Sequence, residues 1–89
     1  MARVHFTAWL RELVPDGPMQ ANGGTVGEAL ATLFTEVPQL RGYLVDERGN
    51  LRRHVCVFAD GQRLACDATM GHPVRPDSEL YVMQALSGG

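Results

Sequence analysis

Thr25-Val26-Gly27-Glu28-Ala29-Leu30-Ala31-Thr32-Leu33-Phe34-Thr35-Glu36-Val37-Pro38 is the stretch on which the fold turns. Its first four residues have the form of a capping box. The Thr25 hydroxyl is placed to accept from the Glu28 backbone N–H, and the Glu28 carboxylate reaches back toward the cap. Behind the cap, Val26, Ala29, Leu30, Leu33, Phe34 and Val37 fall at helical spacing and form one apolar stripe. Pro38 cannot continue the hydrogen-bond ladder and ends the helix at about Val37. This is the one long helix in the chain, and its stripe needs a sheet to lie on.

The flanking sequence supplies strands. Upstream, Val4, Phe6 and Ala8 alternate with Arg3, His5 and Thr7, so Arg3 to Trp9 reads as a strand. Pro15-Asp16-Gly17-Pro18 is a turn, and Met19 to Asn22 returns antiparallel as a second short strand. Downstream, Leu40, Tyr43 and Leu44 form a short extra helical turn that caps the core, and Asp46-Glu47-Arg48-Gly49-Asn50 is a polar turn. His54 to Ala59 and Gln62 to Cys66 are two strands joined at Asp60-Gly61. A two-residue turn there sets Ala59 opposite Gln62, Val57 opposite Leu64 and Val55 opposite Cys66. Val55, Val57, Leu64 and Cys66 then face the core, while Cys56 and Phe58 face away. A Cys56–Cys66 disulfide is disfavoured by that register. Asp67 to Asp77 is a loop, and Glu79 to Ala85 is a last strand with Leu80 and Val82 on one face and Tyr81 and Met83 on the other.

Eighty-nine residues allow one domain with a modest core, here residues 1–84, followed by a flexible tail at 85–89. An apolar fraction of 45% and a charged fraction of 20% are ordinary for a globular protein. A net charge of −2 leaves no electrostatic footprint for nucleic acid or an anionic membrane. No apolar run is long enough to span a bilayer and no signal peptide opens the chain, so a cytoplasmic protein is expected. No ligand cluster surrounds His5, His54 or His72, and no metal site is expected. All eight basic residues are arginine. Codon bias accounts for that simply; the alternative is a chain with no lysine of its own to acylate.

Ala85-Leu86-Ser87-Gly88-Gly89 finishes the sequence. Two residues without side chains before a carboxylate make a thin tail, open at its last carbonyl carbon and able to thread a narrow cleft. The chemistry that wants such a tail is activation of the carboxylate as an acyl-adenylate, followed by a nucleophile. A frayed terminus is the plainer reading.

The element order, the Thr25-Val26-Gly27-Glu28 helix start, the Val55-Cys56-Val57-Phe58-Ala59-Asp60-Gly61 hairpin and the Gly88-Gly89 end together resemble the MoaD/ThiS sulfur-carrier family, in its MoaD-like branch. The resemblance covers the whole chain. It departs from many relatives in Leu86-Ser87-Gly88-Gly89, where an Ala-Gly-Gly-like ending is common, and in Cys56, a position often polar.

The resemblance implies an α+β ubiquitin-like β-grasp: a mixed four- to five-stranded sheet packed on one main helix, with a flexible Gly-Gly tail. It implies a sulfur carrier rather than an enzyme, with no bound cofactor. An adenylating enzyme of the ubiquitin-activating type would use ATP on the Gly89 carboxylate. A sulfur donor would then convert it to a thiocarboxylate. A sulfur-accepting biosynthetic enzyme would take that sulfur into a cofactor or metabolite, with Leu86, Ser87, Gly88 and Gly89 entering the partner active site. Two alternatives share the fold: the small subunit of a molybdopterin-synthase-like enzyme, and a ubiquitin-like protein modifier. A fourth reading is a β-grasp interaction module with an incidental Gly-Gly. The expected docking surface is the outer face of the sheet, carrying Phe58, Tyr81 and Met83 together with His5 and Cys56. Arg3, Arg52, Arg53 and Arg63 read as solvated surface charge, and His54 and His72 as strand-edge and loop residues.

Overall fold

The structure is a computed structural model that describes residues 2–6, 14, 18–65 and 69–84. Its elements run β1 (Ala2–Phe6), β2 (Met19–Ala21), α1 (Val26–Glu36), α2 (Gln39–Leu44), β3 (Val55–Ala59), β4 (Gln62–Arg63) and β5 (Glu79–Gln84). The sheet order is β2-β1-β5-β3-β4. β1 and β5 are parallel, and the other three pairings are antiparallel. This is the mixed β-grasp sheet that the resemblance implied, with five strands.

The parallel pair at the centre accounts for the rest. Parallel neighbours cannot be joined by a tight turn and need a long crossover. Here that crossover carries both helices and the β3–β4 hairpin. α1 lies on one face of the sheet and buries Val26, Ala29, Leu30 and Leu33, with Phe34 and Val37 packed against the same core. Facing it are Val4 of β1, Val55 and Val57 of β3, and Leu80 and Val82 of β5, all essentially removed from water. Each such side chain contributes roughly 1.5–3 kcal/mol relative to exposure. Of the positions expected in the core, Val55, Val57 and Leu64 of the hairpin and Val26, Ala29, Leu30 and Leu33 of α1 are buried as the patterning requires.

α1 is capped at both ends. Thr25 Oγ1 accepts from the Glu28 N–H at 3.2 Å. The Glu28 carboxylate reaches one residue further than expected and accepts from the Gly24 N–H at 2.7 Å. Val37 closes the last turn with its N–H on the Leu33 carbonyl, directly before Pro38.

Four expectations need correction. Tyr43 is exposed and does not cap the core; only Leu40 and Leu44 of α2 are buried. Leu40 and Leu44 share a face at i, i+4, whereas Tyr43 sits at the edge of that stripe. β2 stops at Ala21, one residue before Asn22. His54 lies in a turn rather than in a strand, because the Val55 N–H bonds back to the Arg52 carbonyl and the β3 ladder starts only at Val55. β4 has two residues rather than five, although the Leu64 N–H still bonds the Val57 carbonyl and keeps the expected register. The pairing of Val55 with Cys66, the burial of Cys66 and the strand at 7–9 concern positions outside the described residues.

Candidate functional site

Strand parity puts the outward side chains of β1, β5, β3 and β4 in rows across the sheet. His5 pairs with Tyr81, Tyr81 with Phe58, and Phe58 with Arg63. Arg3 and Glu79 form the row on one side, and Met83 and Cys56 the row on the other. The five residues expected on the outer face are thus brought together. Tyr81 is exposed, while His5, Cys56, Phe58 and Met83 are half-buried.

The rows are tied by specific contacts. The His5 and Tyr81 rings stack with centroids 4.3 Å apart and planes within 10°. His5 Nε2 lies 2.6 Å from Glu79 Oε1, and the Arg3 guanidinium pairs with the other Glu79 oxygen. The hydrogen bond from His5, together with the charge of Arg3, holds the Glu79 carboxyl below the ordinary glutamate range. One residue along, the Asp60 carboxylate accepts from the Glu79 backbone N–H at 2.9 Å, which holds Asp60 low in turn. The aromatic row is therefore flanked by an ordered polar edge.

That edge is the part the sequence did not single out. Arg3 was expected to be free surface charge, and it is an ion-pair partner. The only signal was the shared outward parity of Arg3, His5 and Glu79, and it becomes readable only when β1 and β5 are set side by side.

Chemically, the face offers aromatic and thioether surface with a polar rim. Among the described residues no three His, Cys, Asp or Glu side chains converge on a point that would hold a metal. Cys56 is a free, half-buried thiol beside Met83. Leu86, Ser87, Gly88 and Gly89 lie outside the described residues. Their attachment does not: Gln84, the last residue of β5, pairs with Val55 at the end of the central strand. Among the described residues, no helix is long and apolar enough to cross a membrane.

No family model matches the chain, and no curated protein does. Solved structures do. The chain is similar to a chain of the BexX/CysO complex of Amycolatopsis orientalis, with TM-score 0.87 and 21% identity over all of both chains. It is similar to CysO of Mycobacterium tuberculosis, described as an antigen, with TM-score 0.87 and 17% identity over 97% of this chain and 100% of that one. It is also similar to SAMP1, a small archaeal modifier protein, of Haloferax volcanii. There the TM-score is 0.77 and the identity 26%, over 99% of this chain and 98% of that one. The fold resemblance drawn from the sequence is borne out by these neighbours.

Proposed function

We propose that this chain is a ubiquitin-like sulfur carrier whose reactive group is the carboxyl of Gly89. The observation that carries the reading is the place of β5. It is the central strand, its outward residues Tyr81 and Met83 belong to the aromatic face, and it leads directly into the Gly88-Gly89 segment. A partner that grips the face would hold the strand from which the tail departs. Five residues beyond Gln84 span at most roughly 18 Å, enough to reach into a cleft beside the docking surface.

The chemistry belongs to the partner. A carboxylate resists attack because of its charge and its poor leaving group. Transfer of AMP from ATP releases pyrophosphate and gives a mixed anhydride. A sulfur nucleophile then forms a C–S bond at the Gly89 carbonyl as AMP departs with the electron pair of the C–O bond. Hydrosulfide would give the thiocarboxylate directly. A persulfide would give an acyl disulfide that a thiol then reduces. Stabilising the charge that develops on the α-phosphate in the first step and on the Gly89 carbonyl oxygen in the second falls to the adenylating enzyme. The chain itself is a co-substrate, and its glycines admit the carbonyl where a Cβ would clash.

A second reading, transfer of Gly89 to lysines of other proteins, is favoured by the likeness to a protein named as a modifier. Both readings share the adenylation step. ATP–pyrophosphate exchange by a candidate adenylating enzyme should depend on this chain and vanish when Gly89 is removed. Exchange that continues without Gly89 contradicts the assignment. A mass gain equal to one oxygen replaced by sulfur, confined to the carrier and retained after thiol treatment, marks the first reading, and lysine-linked adducts mark the second.

A further inference from the structure

Four of the eight arginines, Arg41, Arg48, Arg52 and Arg53, fall in a 13-residue window that joins α2 to β3. The structure holds them in one place. Val45 and Leu51 form an antiparallel bridge, and Asp46 Oδ1 accepts from the N–H groups of Arg48 and Asn50 at 2.9 and 3.0 Å. The Arg52 N–H bonds the Leu44 carbonyl, and Arg52 Nε donates to the Gly42 carbonyl at 2.8 Å. The loop backbone is stapled, and the Arg52 guanidinium is held with it. All four arginines are exposed.

Asp46 is the carboxylate whose charge they meet, held low by the Asn50 N–H and in part by Arg48 and Arg52. Arg3 and Arg75 sit in ion pairs, whereas among the described residues none of these four has a carboxylate oxygen within 4.0 Å. Around Asp46 and Arg52 the surface sinks into open depressions, two of about 290 Å³ and one of about 340 Å³.

The placement is informative. The Val55 N–H bonds the Arg52 carbonyl, and Val55 pairs with Gln84. The arginine loop therefore adjoins the end of the sheet where β5 hands over to the Gly88-Gly89 segment. The opposite end, at Asp60 and Glu79, is the one that carries paired charges.

We infer that Arg41, Arg48, Arg52 and Arg53 form a second docking surface, complementary to an acidic surface on the enzyme that receives the Gly89 tail. This inference rests on the carrier reading. A protein fits the patch better than a polyanion does, because Asp46 and Glu47 are interleaved with the arginines and the whole chain is net negative. The depressions are shallow and open, unlike an enclosed seat for a small anion. Guanidinium forks recognise carboxylates bidentately, and like-charged wrong partners are repelled.

The test compares Arg48→Glu/Arg53→Glu with Arg75→Glu, a charge reversal at the far end of the sheet. Among the described residues neither Arg48 nor Arg53 makes a side-chain hydrogen bond, so the fold should survive. With an adenylating enzyme that charges the wild type, the double variant should raise KM for the carrier about tenfold at low salt and leave kcat unchanged. The gap should close as ionic strength approaches about 0.5 M. An unchanged KM, or an equal rise for Arg75→Glu, overturns the inference while leaving the carrier reading intact.

A second arm needs no enzyme. Decaglutamate should shift the amide resonances of residues 41–53 in the wild type, less so in the double variant and less at high salt. No shift in the wild type overturns the inference. So does a response to inorganic pyrophosphate or a single-stranded oligonucleotide with none to the peptide. If no adenylating enzyme charges the wild type, the carrier reading fails, and this arm still decides the patch.

Discussion

Glu79 is where the chemistry of a single residue shapes the proposed docking face. Its carboxylate accepts from His5 and Arg3, and its own N–H is taken by Asp60. A folded-state pKa below the ordinary value of 4.5 means that these contacts contribute stability fully present above that value. The contribution is lost as pH falls through the lower folded value. Urea midpoints of the wild type should therefore drop between about pH 5 and pH 3. Glu79→Gln should flatten part of that drop, the remainder coming from Asp46 and Asp60, whose carboxyls are also held low. Identical pH profiles for wild type and variant would contradict the assignment. In the sequence, the outward direction of His5 and Tyr81 was legible from period-2 alternation alone. Their stacking, and the Arg3–Glu79 pair, were not, because residues 76 apart meet only through the parallel register of β1 and β5.

At the scale of elements, α1 and the Asp60-Gly61 turn were the most legible parts, since both are written in local chemistry. Thr25 and Glu28 cap, Pro38 stops, and the turn uses φ of 51° and 86° at Asp60 and Gly61, as a tight hairpin requires. Strand ends were less legible. β4 was expected to reach Cys66, yet strand length depends on how long a neighbour offers paired backbone, which local pattern does not encode. Gly23 shows how tightly α1 is seated. Its φ is +149°, and a Cβ there would stand 2.7 Å from the Ala29 backbone nitrogen. Gly23→Ala should destabilise by about 2 kcal/mol. Gly42, in α2 with open space around it, should do the reverse: Gly42→Ala should stabilise by about 0.5–1 kcal/mol. Denaturant titration of both variants checks the pair, and equal effects would contradict this view of the helix entry.

Across the whole molecule, a packed scaffold carries the two proposed docking surfaces, the outer face along β5 and the arginine loop beside its Gln84 end. The core face holds α1, and the outer face presents Phe58, Tyr81 and Met83 in adjacent rows. Removing one aromatic should weaken association without touching the carboxyl chemistry. Tyr81→Ala is expected to raise KM for the carrier about tenfold with kcat retained. A fall in kcat alone would move Tyr81 out of the docking role. The outer face was legible because strand parity survives small errors in strand ends. The arginine loop was not, because four charges spread over residues 41–53 converge only when Val45 and Leu51 close the loop. The measurement that bears most directly on the account is the intact mass of the protein after incubation with ATP, a sulfur donor and an adenylating enzyme. The account predicts a gain equal to one oxygen replaced by sulfur, located at Gly89 and absent without ATP. A folded protein with Gly89 intact that keeps its mass with every adenylating enzyme of its source genome would contradict it.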